Sequence, residues 1–102
     1  MKSCNKLVRN NIPNILEELG KKFDIELLDS DKGLEFLYLN LISTIYDSFE
    51  NKSLDHISEA IELLTTIAKE YGYTEKNIID QRNKTNKENG DFSKKILLKN
   101  RY

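Results

Sequence analysis

The fold is decided by residues 33–72, which read GLEFLYLNLISTIYDSFENKSLDHISEAIELLTTIAKEYG. Apolar residues recur there at steps of three and four, which predicts one amphipathic helix to about residue 50 and a second from Ser53 to Gly72. Asn51 and Lys52 leave room only for a tight turn, so the two helices should be antiparallel. The first stripe contains Leu34, Leu37, Tyr38, Leu41, Ile45 and Phe49; the second contains Ile57, Ala60, Ile61, Leu64, Ile67, Ala68 and Tyr71.

Shorter elements are predicted on both flanks. Pro13 suits the first turn of a helix that ends at Gly20, and Thr74 can cap a further helix that becomes polar along residues 83–89. Residues 23–28 and 92–98 are each predicted to form a short strand, and the two strands can pair with each other. The fold class is therefore mainly α, with short flanking strands, in a single domain spanning residues 1–102.

One helical hairpin cannot cover both of its own apolar stripes. A second subunit with a matching hairpin would complete a four-helix bundle, so a homodimer or homotetramer is expected. The residues predicted to be buried between subunits are Leu37, Leu41, Ile45, Ile57, Ile61 and Leu64.

Charge and composition exclude several classes of protein. The formal net charge of −1 argues against a general nucleic-acid or membrane-surface binder, and no apolar run has membrane-spanning length. Cys4 is the single cysteine and residues 1–11 lack the apolar core of a signal peptide, so a reducing, cytoplasmic location is expected.

The charges are unevenly distributed along the chain. Residues 24–62 hold ten acidic residues against two lysines, whereas residues 82–102 hold seven basic residues against two acidic ones. The acidic middle and the basic tail can complement each other within one chain or between subunits. Alternatively, the tail attracts phosphate or is a solvated surface.

Two short motifs resemble a known family. The start Lys6-Leu7-Val8-Arg9-Asn10-Asn11-Ile12-Pro13 resembles the KLVRDKIP of the MazG-like and phosphoribosyl-ATP pyrophosphatase-like all-alpha nucleoside triphosphate pyrophosphohydrolases. The turn Gly90-Asp91-Phe92 stands where that family has Arg-Gly-Gly-Phe. The resemblance covers most of the chain and implies a helical hairpin that assembles into a bundle and binds a nucleotide in its cleft.

The family's metal ligands are mostly replaced. Its EExxE pattern falls on Ser43, Thr44 and Asp47, and its ExxD pattern falls on His56 and Glu59. Only the carboxylates of Asp47 and Glu59 remain, as a vestigial metal site, whereas Mg²⁺ in such enzymes needs several hard oxygen ligands. Loss of catalysis is therefore expected, with no cofactor; Mg²⁺ or another divalent metal would be needed if catalysis persists.

Most of the family's phosphate-binding residues are replaced as well. In the family's RxxKxxxRGGF pattern, Arg82 matches, while Thr85, Asn89 and Asp91 replace the other charged or small residues. The candidate nucleotide-binding residues are Arg9, Tyr46, His56, Arg82 and Lys84.

Two of these candidates have alternative roles. His56 can hydrogen-bond a nucleotide, join Asp47 and Glu59 in an altered zinc or manganese site, or lie at the surface. Tyr46 can stack on a base or pack at a rim.

Three function classes stay open. The first is a nucleotide-binding protein that no longer cleaves and that sequesters or senses a nucleotide or a nucleotide-derived signal. The second is a metal-dependent pyrophosphohydrolase with an altered metal site. The third is a homo-oligomeric interaction protein without a ligand.

Overall fold

The computed structural model describes residues 6–102, which leaves Cys4 outside the described part. Four helices account for all the regular structure in that range: α1 (Ile12–Glu18), α2 (Ser30–Asn51), α3 (Leu54–Glu70) and α4 (Glu75–Asn89). The predicted mainly helical fold is thus confirmed. None of these helices is long and apolar enough to cross a membrane.

Local capping sets the ends of the two long helices. The Asp29 carboxylate accepts a hydrogen bond from the backbone N–H of Lys32 at 2.8 Å and so begins α2. Lys52 ends α2 in the left-handed region, at φ 52°. The Ser53 hydroxyl accepts from the backbone N–H of Asp55 at 3.1 Å and begins α3. Two residues, Lys52 and Ser53, therefore connect the long helices.

The main packing of the chain is between α2 and α3. Leu37 and Leu41 from α2 and Ile67 from α3 form its small buried core. The Tyr38 and Tyr71 hydroxyls are hydrogen-bonded at 2.7 Å. These contacts bring the N-terminal half of α2 beside the C-terminal end of α3. Leu37 and Leu41 are thus buried within one chain, whereas the sequence had suggested burial between subunits.

The chain is more extended than a compact domain of its size. Its Cα radius of gyration is 17.8 Å, against about 13 Å for a compact chain of about 100 residues. The principal extents are 60 × 32 × 24 Å. Among residues 6–102 no side chain is completely buried. Much apolar surface consequently stays uncovered.

Six of the uncovered apolar side chains of the long helices lie on one side. On α2, Ile42, Ile45 and Phe49 lie four, seven and eleven residues after Tyr38. On α3, Leu64, Ile61 and Ile57 lie seven, ten and fourteen residues before Tyr71. Because the two tyrosines touch each other, both series share a side of the α2–α3 pair. We call this side the apolar face, and its members are Ile42, Ile45, Phe49, Ile57, Ile61 and Leu64, all exposed.

Neither predicted strand forms within the described residues. Residues 23–28 have no regular structure. Residues 92–95 instead make a turn in which the Lys95 N–H donates to the Phe92 carbonyl at 3.1 Å, and Lys95 has φ 53°. Alternating apolar residues do not stabilise a strand without a neighbour to accept its backbone hydrogen bonds, and neither segment contacts such a neighbour in the described part of the chain.

Candidate functional site

The segment of residues 6–11 lies against the α2–α3 pair. Leu7 packs against the buried core, and its carbonyl accepts a hydrogen bond from the side-chain amide of Asn40 at 2.9 Å. Asn40 is half-buried in α2, one residue before Leu41. This bond holds the segment against α2 and brings Arg9 close to α3.

Arg9 and Glu59 form an ion pair with two contacts. Arg9 Nη2 lies 2.8 Å from Glu59 Oε1, and Arg9 Nε donates to Glu59 Oε2 at 3.4 Å. The two side chains are 58% and 42% exposed. A predicted phosphate contact and a predicted metal ligand therefore neutralise each other, which the sequence had not indicated.

His56 lies one helical turn before Glu59, in the first turn of α3. Its side chain is half-buried, and its Nδ1 atom is buried without a hydrogen-bond partner among residues 6–102. A buried polar nitrogen without a partner costs free energy, typically about 1–3 kcal/mol. A polar group that hydrogen-bonded to Nδ1 would remove this cost.

The residues matching the family's first metal motif do not extend this group into a cage. Thr44 is half-buried, while Ser43 and Asp47 are exposed; the Asp47 backbone carbonyl accepts from the Asn51 side chain at 3.0 Å. Within residues 6–102, no three His, Cys, Asp or Glu side chains come together as a group that could hold a metal ion.

Tyr46 points away from the other candidates. It lies two residues from both Thr44 and Ser48, which are half-buried on the α3-facing side of α2. At about 100° per residue, two residues place its side chain nearly opposite that side. Tyr46 is 65% exposed. The structure thus does not place it in the space between α2 and α3.

Arg82 and Lys84 belong to α4, which packs only on α3 among the described helices. Lys84 lines a shallow groove of about 660 Å³, together with Ala68, Tyr73, Asn77, Ile78, Asp80 and Gln81. Arg82 Nη2 contacts the Asn83 side chain at 3.4 Å. Ala68 is twelve residues after His56, which is about 18 Å along a helix axis. The predicted set therefore divides into two groups, at opposite ends of α3.

Two contributors to the site were not predicted from the sequence. Asn40 anchors the segment that carries Arg9, and Tyr73 lines the groove beside Lys84. Asn40 had a detectable signal, because it is the one amide in the otherwise apolar and aromatic run of residues 36–42. No sequence signal identified Tyr73, apart from its position after Gly72.

We compared the whole chain with known proteins. No family model, curated protein or solved structure matches it.

Proposed function

We propose that this chain is a nucleotide-binding protein without pyrophosphohydrolase activity, which sequesters or senses a nucleotide or a nucleotide-derived small molecule. One observation carries the proposal. The Arg9 guanidinium is paired with the Glu59 carboxylate, and Glu59 lies one helical turn after His56, whose buried Nδ1 has no hydrogen-bond partner within residues 6–102. A phosphate group is bound by several hydrogen-bond donors of this kind.

The Arg9–Glu59 ion pair can be broken at little cost in free energy. Exposed ion pairs contribute about 0–1 kcal/mol to stability. A guanidinium forms stronger, two-point hydrogen bonds with a phosphate group, because phosphate carries more charge and more acceptor oxygens. Arg9 can therefore exchange Glu59 for a phosphate at little cost. His56 would donate the second hydrogen bond, near the positive end of the α3 dipole.

The same arrangement disfavours magnesium-dependent hydrolysis. Glu59 is the one carboxylate beside His56 that matches the family's motif, and Arg9 already neutralises it. Ser43 and Thr44 carry no charge with which to bind Mg²⁺. Without the metal, the charge that develops on a transferred phosphoryl group lacks its main stabilisation. Binding without cleavage is the chemistry that remains.

Assembly would complete the site. We propose that α2 and α3 act as an antiparallel hairpin, and that the apolar face packs on a second copy to make a four-helix bundle in a homodimer or homotetramer. About a twofold axis perpendicular to α3, the C-terminal end of one α3 would lie near the N-terminal end of the other. The partner's Lys84 would then approach Arg9 and His56, which lie apart from Lys84 within one chain.

A thermal-shift panel of nucleotides and cyclic dinucleotides, with and without divalent metal, tests the binding. We expect metal-independent stabilisation by at least one phosphate-bearing ligand, reduced in Arg9→Ala and His56→Ala. Lys76→Ala is the matched control, since it also removes one exposed ion pair, the one with Asp80. Metal-dependent release of pyrophosphate would instead support the hydrolase.

A second candidate function follows from the apolar face. Six exposed apolar residues on one side of two helices form the kind of surface that proteins use for association. If no ligand in the panel stabilises the chain while it still self-associates, the homo-oligomeric interaction protein becomes the better conclusion.

A further inference from the structure

Residues 23–28 form an uncovered segment with alternating chemistry. Phe23, Ile25 and Leu27 alternate with Asp24 and Glu26. Leu27 is 93% exposed and Ile25 is 61% exposed. Within residues 6–102, no hydrogen bond engages the backbone of this segment. It has the pattern of a strand, one side apolar and the other acidic, but no neighbouring strand.

The C-terminal segment, residues 96–101, has the complementary pattern. It follows the turn at residues 92–95 and has no regular structure. Ile96 and Leu98 alternate with Leu97, Lys99 and Arg101, so one side is apolar and the other is mainly basic. The exposed fractions of Ile96, Leu97 and Leu98 are 83%, 81% and 74%. Its backbone also makes no hydrogen bond within the described part of the chain.

We propose that residues 96–101 of one copy pair as a strand with residues 23–28 of a second copy. Pairing would place Ile96 and Leu98 beside the apolar side of the other segment. It would also place Lys99 and Arg101 on the side of Asp24 and Glu26. Cross-strand apolar and opposite-charge pairs each favour such a ladder. It would satisfy backbone groups that neither segment satisfies in its own chain.

A second copy fits better than the same chain as the pairing partner. Residues 96–101 follow α4, whose packing is on α3, whereas residues 23–28 lie between α1 and α2. Among residues 6–102, the two segments stay unpaired. A reciprocal exchange gives two equivalent ladders per dimer, as twofold symmetry requires. The inference does not depend on the nucleotide site, because none of that site's residues lies in either segment.

Charge reversal of one segment at a time tests the exchange. The first variant is Asp24→Lys with Glu26→Lys, and the second is Lys99→Glu with Arg101→Glu. In a dimer of either variant alone, the charges that face each other in both ladders have the same sign. In a mixed dimer of the two variants, the charges have opposite signs in both ladders. The control, Lys87→Glu with Lys94→Glu, makes the same change in net charge as the second variant but outside the pairing segment, in the last turn of α4 and in the turn that follows it. The measurement is amide hydrogen exchange of residues 23–28 and 96–101 at several protein concentrations.

In the unmodified protein we expect both segments to exchange at least about tenfold more slowly at high concentration than at low concentration. The protection should be lost in each variant alone, return in the mixture, and persist in the control. Protection that is independent of concentration, or that does not return on mixing, would overturn the proposal in favour of pairing within one chain. Rapid exchange of both segments at every concentration would overturn it as well.

Discussion

Tyr38 and Tyr71 join the two long helices through their hydroxyl groups, which lie 2.7 Å apart. This hydrogen bond is the main cause of a raised pKa for Tyr71, with partial desolvation and the charge of Tyr38 adding to it. Because the folded state raises the pKa, the contribution to stability is fully present below the ordinary tyrosine pKa. It is lost as the pH rises through the raised value.

The first prediction concerns this pair. Tyr38→Phe removes the partner hydroxyl, so the pKa of Tyr71 should fall towards the ordinary tyrosine value. An NMR titration of ring-labelled tyrosine would measure it. Tyr46→Phe, which removes an exposed tyrosine hydroxyl outside this pair, is the control and should leave the pKa of Tyr71 raised. An unchanged Tyr71 titration in Tyr38→Phe would contradict the hydrogen bond.

A second prediction distinguishes a binding role from a metal role for Glu59. Glu59→Gln removes the carboxylate that competes for Arg9, so we expect tighter, metal-independent binding of the nucleotide that stabilises the wild-type protein. Stability should change by less than about 1 kcal/mol, because the pair is exposed. Isothermal titration gives the affinity and urea unfolding gives the stability. Weaker binding in Glu59→Gln would indicate a ligand role for the carboxylate.

Among the helices, the connection between α2 and α3 depends on one cap. The Ser53 hydroxyl accepts the Asp55 N–H, which otherwise has no partner within the first turn of α3. We predict that Ser53→Ala destabilises the chain by about 1 kcal/mol. Urea unfolding measures this loss, and Ser58→Ala, an exposed serine inside α3, is the control. Equal effects of the two substitutions would show that the cap contributes nothing.

The polar helix α4 behaves differently from the long pair. Its start is fixed by a capping box in which Thr74 and Asn77 exchange side-chain and backbone hydrogen bonds. No residue of α4 is buried. Capping rather than packing thus defines this helix, and it presents Arg82 and Lys84 to solvent.

For the whole molecule, the prediction concerns the apolar face. Ile45 and Leu64 are 51% and 50% exposed in the single chain, so Ile45→Asp and Leu64→Asp should leave the chain folded and abolish self-association. Leu41→Asp should instead unfold it, because Leu41 belongs to the buried core. Leu19→Asp, an equally exposed leucine outside the long helices, should change neither property. Sedimentation with circular dichroism checks all four. A wild-type monomer at micromolar concentration would contradict the assembly.

Local signals in the sequence define the helices. Periodic apolar residues, Asp29, Ser53 and Thr74 as caps, and Gly20 and Gly72 as stops act within a few residues of where they stand. Such signals are local, so they can be recognised without knowing the rest of the fold. The same local reasoning assigned strands to residues 23–28 and 92–98, where a strand would need a partner that local sequence does not supply.

The contacts that each side chain makes depend on the tertiary structure. It buried Leu37 and Leu41 within one chain, turned Tyr46 away from α3, paired Arg9 with Glu59, and separated Lys84 from His56. Each of these outcomes depends on the rotation of one helix about its axis relative to another, or on the path of residues 6–11 across them. Apolar spacing gives the face of each helix but leaves that rotation free. Packing between α2 and α3 fixes it, because only one rotation buries Leu37, Leu41 and Ile67 together.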